Sequence, residues 1–193
     1  WQLAMLVLMV GITVALLQHE GAQPTIRLVA TGMAPNLNLE QGQKWHLFLS
    51  HTWASAQDQC AVIKRQLVRM LPGIKIFLDV DDLDDINSQW LGSNPSHYSE
   101  VLRCLFCSSS DECSKTCAAD LDEWIARSVT ILLFASNKYF TSWACQNAIL
   151  STLKWNRPFF LVHEADSKHG GKPWAELVAE CPHRLQASGR FGM

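Results

Sequence analysis

The sequence predicts an α/β fold, a three-layer parallel sheet flanked by helices and preceded by a transmembrane helix, and three observations carry that expectation. Short apolar runs alternate with helical stretches in the order strand, helix, strand, loop, helix, strand, helix, strand, the rhythm of a parallel sheet with helices on its faces. The runs are apolar almost throughout, as strands covered on both sides must be. The first seventeen residues, WQLAMLVLMVGITVALL, carry no charge.

That N-terminal run has only Gln2 and Thr13 as polar interruptions. A spanning helix needs ~20 apolar residues. The chain begins at Trp1 rather than Met, so the run is expected to continue upstream. A signal peptide would show a basic stretch and small residues at a cleavage site, and a core helix would carry a polar stripe; neither pattern is present. The expectation is a membrane anchor at residues 1–17, with the α/β domain that follows the linker cytoplasmic. Only Arg27 lies close enough to register a positive-inside bias, so orientation stays open.

Residues 18–43 contain Gly21, Pro24, Gly32, Pro35 and Gly42 and read as a linker. The domain proper is expected over residues 44–163, followed by a C-terminal extension, 164–193. Its first strand is Trp45-His46-Leu47-Phe48-Leu49, ending at Ser50-His51-Thr52. Over residues 58–71, Cys60, Ile63, Leu67, Met70 and Leu71 recur at largely helical spacing opposite Lys64, Arg65, Gln66 and Arg69, and Pro72-Gly73 stops the helix. A second strand is expected at 74–78, a short helix at 121–127, a strand at 129–135 (VTILLFA), a helix at 143–153 and a fourth strand at 158–162 (PFFLV).

A net charge of −2 gives no footprint for nucleic acid, so none is expected as a partner. Seven cysteines, an odd number unevenly spread, do not form a secreted disulfide framework and point to a reducing compartment. Residues 87–119 lack either periodicity and read as an insert. Within it, Cys104-x2-Cys107 and Cys113-x3-Cys117 have the form of a four-thiolate zinc knot, although the spacing between the pairs is tight and free thiols remain the alternative.

The segments FLSHTW (48–53), GIKIFLDVDDLDDI (73–86), DLDEWIARS, VTILLFAS and YFTSWACQNAIL (139–150) together resemble a TIR domain, and most closely the divergent TIR-like domains of unicellular algae. Ser50-His51 resembles the family's first strand end, Asp79 to Asp85 its acidic loop, and Ser136, Tyr139, Ser142 and Cys145 the segment after its third strand. The resemblance implies a flavodoxin-like fold and signalling by association with other TIR domains, with Asp79, Asp81, Asp82, Asp84 and Asp85 on the contact loop. It also raises NAD as a ligand or substrate, because catalytic members cleave NAD with a Glu three residues beyond the Cys. Here that position is Ala148, and a methyl group cannot stabilise an oxocarbenium-like charge. The resemblance therefore implies a domain without a catalytic residue, with NAD hydrolysis as the alternative. The nucleotide pocket would be drawn from Ser50, His51, Trp53, Ser136, Trp143 and Cys145.

Each of these residues also has a plainer reading. His51 can be a hydrogen-bonded loop residue, and Trp53 and Trp143 can be packing. His163, Glu164 and Asp166 follow the last strand, at the edge where ligands of open α/β sheets bind, or form an ordinary exposed loop. Asp79-x-Asp81 has the spacing of a haloacid-dehalogenase-type phosphohydrolase, but Leu83 stands where that family has Thr. A calcium loop beginning at Asp79 lacks its Gly and terminal Glu.

Overall fold

Four strands pair in the order β2-β1-β3-β4, every neighbour parallel: β1 (Trp45–Ser50), β2 (Ile76–Phe77), β3 (Ser128–Ala135) and β4 (Phe159–His163). This computed structural model describes residues 1–20, 25–78 and 113–186. The helices are α1 (Gln2–Glu20), α2 (Trp53–Met70), α3 (Cys113–Ala126), α4 (Trp143–Lys154), α5 (Trp174–Glu180) and α6 (His183–Gln186). The α/β class expected from the sequence is the observed one.

Successive strand residues point to opposite faces, so the sheet divides the core in two. On one face Leu47, Leu49, Ile76, Leu78, Leu132 and Phe134 meet Ala56 and Cys60 of α2. On the other, Phe48, Phe77, Ile131 and Leu133 pack against Leu121 and Ile125 of α3 and Ile149 of α4. Phe77 is the aromatic centre of this second face, stacked on Phe48 at 4.9 Å and flanked by Trp45 and Trp124. That core continues into Leu177 of α5, Cys181 and Leu185 of α6, all buried. Leu177, Cys181 and Leu185, which follow β4, are thus part of this core.

Several boundaries differ from expectation. Helix α2 starts at Trp53, five residues earlier; Thr52 precedes it in extended backbone, its hydroxyl making no capping bond and turning instead to Ser136. Helix α3 starts at Cys113, so the segment read as an insert to residue 119 ends earlier. Cys113 and Cys117 then lie on one helix at a four-residue interval. Strand β2 is shorter than the expected 74–78.

The N-terminal run does form a helix, but its membrane-spanning role is unsupported. Among the described residues no helix is long and apolar enough to cross a membrane. Helix α1 ends in Gln18-His19-Glu20, which leaves its apolar stretch short of the ~20 residues a crossing requires. Met5, Val7, Leu8, Met9 and Val10 on it are all exposed.

Candidate functional site

In a sheet of this order the chain leaves β1 toward β2 on one side and later returns to β3 on the other, so the C-terminal ends of β1 and β3 flank a topological switch point. Ligands of open α/β sheets bind there, because the two connections diverge and leave a crevice. Strand β1 delivers Ser50, His51 and Thr52 to this point, and β3 delivers Ser136 and Asn137.

The crevice is occupied by the protein's own polar groups. Ser50 Oγ and Tyr139 Oη are 2.8 Å apart, joining residues 89 apart in sequence. Ser136 Oγ is bonded to Thr52 Oγ1 at 2.9 Å and to Ser55 Oγ at 2.8 Å. Ser55 Oγ also lies 3.0 Å from the Asn137 carbonyl. His51 is buried, with Nε2 2.7 Å from Gln57 Oε1. The Cys145 thiol donates to the His51 carbonyl at 3.3 Å. Burial, reinforced by Cys145, holds the Tyr139 phenol well above its ordinary range, while its bond to Ser50 acts the other way. Tyr139 is therefore a neutral hydrogen-bonding partner at any physiological pH.

Of the predicted pocket residues, Ser50, His51, Ser136 and Cys145 come together here. Ala148 lies beside them but inside the core, 2% exposed, in the same cluster as Ile149 and Cys145. Trp143 is half-buried at the start of α4, its carbonyl accepting from Asn147. Trp53 stacks near His51, ring centroids 6.4 Å apart, and lines an adjoining cleft of about 680 Å³ on the α2 side of the sheet, with Ser55, Asp58, Phe134, Glu164, His169 and Gly170. Asp79, Asp81, Asp82, Asp84, Asp85, Cys104 and Cys107 lie outside the described residues. Among the described residues no group of three or more His, Cys, Asp or Glu side chains is placed to hold a metal.

Close approach between the β4–α5 connection and the first turns of α2 shapes the cleft. Gly170 takes φ +79°, and a Cβ there would sit 2.3 Å from the Ser55 carbonyl oxygen. The Gly170 carbonyl accepts from Asn137 N at 2.9 Å, and the His169 carbonyl accepts from Gln59 Nε2. The Asp166 carboxylate accepts from the Lys168 amide, which is the main reason its pKa lies below the usual range, and bonds His169 Nδ1 at 3.0 Å. Of the three polar residues expected at this edge, Glu164 faces the cleft, Asp166 ties the turn, and His163 bonds the Lys172 carbonyl at 2.7 Å. Sequence reasoning missed Thr52, Ser55, Asn137 and Gly170; the Gly170-Gly171 pair was the one local signal of a tight approach.

Gly170→Ala is expected to cost at least ~1 kcal/mol more than Gly32→Ala, because both demand positive φ but only Gly170 meets backbone. Urea unfolding of the two variants measures the difference, and equal midpoints would show that the connection moves aside freely.

Comparison of the chain with family models, with curated proteins and with solved structures gives no match.

Proposed function

We propose that this chain is a TIR-like signalling module that works by homotypic association and does not cleave NAD. The observation that carries the reading is the state of the switch point. Ser50, Thr52, Ser55 and Ser136 bond one another, Tyr139 and Asn137, which favours a role in holding the strand ends together over one in nucleotide contact. Cleavage at the nicotinamide–ribose bond also needs a carboxylate close to the sugar, and position 148 offers a methyl group turned into the core. The strand order supports the comparison, since β2-β1-β3-β4 reproduces the first four strands of the flavodoxin-like 2-1-3-4-5 order.

Membrane attachment through α1, with the α/β domain on the cytoplasmic side, belongs to the same proposal. Its support is the exposure of apolar side chains around a helix that lacks a polar face. Flotation of the full chain with lipid vesicles checks this part.

Sedimentation velocity of the full chain in a non-ionic detergent that covers α1, together with a nicotinamide-release assay on NAD, tests the central reading. The average mass should rise with concentration while nicotinamide stays at background. Release above background would overturn the non-catalytic reading, and a monomer at every concentration would overturn association.

A further inference from the structure

We propose that helix α1 is a second helix for the α2 face of the sheet: it docks beside α2 over strand β4 of its own chain, and a lipid surface competes with the domain for it. The inference goes beyond the membrane attachment proposed above and does not depend on homotypic association.

The two faces of the sheet are covered unequally. Among the described residues, one face carries side chains of α3, α4, α5 and α6, and the other carries those of α2 alone. Four strands about 4.8 Å apart make a face nearly 20 Å wide, whereas a helix with its side chains is about 10–12 Å across. One helix cannot cover such a face. Helix α2 lies over β1, β2 and β3, where Leu49, Ile76, Leu132 and Phe134 are at most 4% exposed. Strand β4 is left out. On this face Phe160 stands beside Leu132 and Val162 beside Phe134, yet Phe160 is 46% exposed and Val162 only half-buried. The bare strip continues into the cleft beside α2, whose walls include Val62, Ile63 and Phe134.

Helix α1 has the surface, the tether and the length to cover that strip. Every described side chain on it is exposed. Val7, Val10 and Val14 share one stripe, and Leu8 and Ile12 on other sides are apolar too, so whichever side it buries removes apolar area from water. The Ile26 amide donates to the Met70 carbonyl at 2.9 Å, which ties the segment after α1 to the last turn of α2. Glu20 comes six residues before Ile26, so the end of α1 lies within about 20 Å of that turn. Strand β4 is two strand spacings from β1, about 10 Å. Laid from there, α1 runs alongside α2 in the same direction. Its 19 residues measure about 28 Å against about 27 Å for the 18 of α2, enough to run from the start of β4 to the cleft.

The short tether also selects the occupant. It holds α1 at an effective concentration on the order of millimolar, so at micromolar protein the chain's own helix fills the strip ahead of one from a second copy. A helix buried in hydrocarbon cannot also lie against the sheet, and the two states therefore exclude each other.

The test replaces Phe160 in the full chain with the photo-crosslinking residue benzoylphenylalanine and maps the products by mass spectrometry. In dilute buffer the crosslink should fall on residues 2–20, in a product of monomer mass. Phosphatidylcholine vesicles should reduce that product at least about threefold. Phe160→Asp, at a half-exposed position, should keep the far-ultraviolet circular dichroism of the unmodified chain. It should shift docking about tenfold toward the free helix, read as more chain floating at limiting vesicle concentration. Crosslinks that miss residues 2–20, or that occur only in a product of dimer mass, would overturn the inference. Equal flotation of the two forms, where both float, would overturn it too. If neither form floats while the crosslink to residues 2–20 persists, membrane attachment falls and the docking stands.

Discussion

Ala148→Glu is expected to destabilise the fold by about 3 kcal/mol or more and to release no nicotinamide. Position 148 is 2% exposed and packed among Cys145, Ile149 and the strand side chains beneath them. Four added heavy atoms overpack a filled site, at roughly 1–3 kcal/mol. A carboxylate without a partner adds a burial cost of comparable size. Ala148→Gln separates these contributions, since it brings the bulk without the charge. Burial raises a carboxyl pKa in the folded state, so the native state holds its proton longer than the unfolded chain does. The excess cost of Glu over Gln should accordingly be absent at low pH and grow as pH rises above the unfolded value of about 4.3. Equal urea midpoints for the two variants across that range would mean that the side chain reaches water. Nicotinamide release by Ala148→Glu would show that it reaches a working pocket.

Phe77→Ala is expected to cost about 3–5 kcal/mol, the range for removing a fully buried aromatic ring. The ring is 0% exposed and touches three others, Phe48, Trp45 and Trp124, so the void cannot close by moving one neighbour. Strand β2 has only two residues, and Phe77 is one of them, which leaves little else to hold this edge of the sheet on the α3 face. The melting temperature should fall by on the order of 10 °C. A fall of only a few degrees would mean that β2 is a decoration on the fold.

The strands were legible because each is a short run of apolar residues, as the buried β1 requires; β4, at the sheet edge, departs from the expected two-sided cover, with Phe160 46% exposed. Helix α4 was legible for a related reason, since its buried positions Cys145, Ala148, Ile149 and Thr152 recur at helical spacing. The first turn of α2 was not, because WASAQ carries no large aliphatic periodicity and the turn is tied by Thr52 and Ser55 to Ser136 and Asn137, far away in sequence. Helices α5 and α6 span seven and four residues, shorter than any window over which a 3.6-residue period can be measured. Their burial comes from Leu177 and Leu185 finding a core built far upstream. The candidate site was legible in its strand ends, Ser50-His51 and Ser136, which the order of segments placed at one edge. What filled it was not. The Ser50–Tyr139 bond and the approach of Gly170 to Ser55 are long-range consequences of the fold, and no local pattern encodes them.

The central pairing of the sheet has a consequence for how the chain is made. Strand β1 is interior, bonded on one side to β2 and on the other to β3, with Trp45 opposite Ser128. During synthesis at ~5–20 residues per second, the partner strand emerges roughly 4 to 16 s after β1. Throughout that interval WHLFLS is a finished hydrophobic strand with one flank uncovered. Lengthening or shortening the intervening stretch changes the closure entropy only logarithmically, so the folded protein hardly registers it. The time spent exposed scales in direct proportion instead. The separation between β1 and β3 is therefore a kinetic liability far more than a thermodynamic one, and it makes this chain a candidate for chaperone engagement while still on the ribosome.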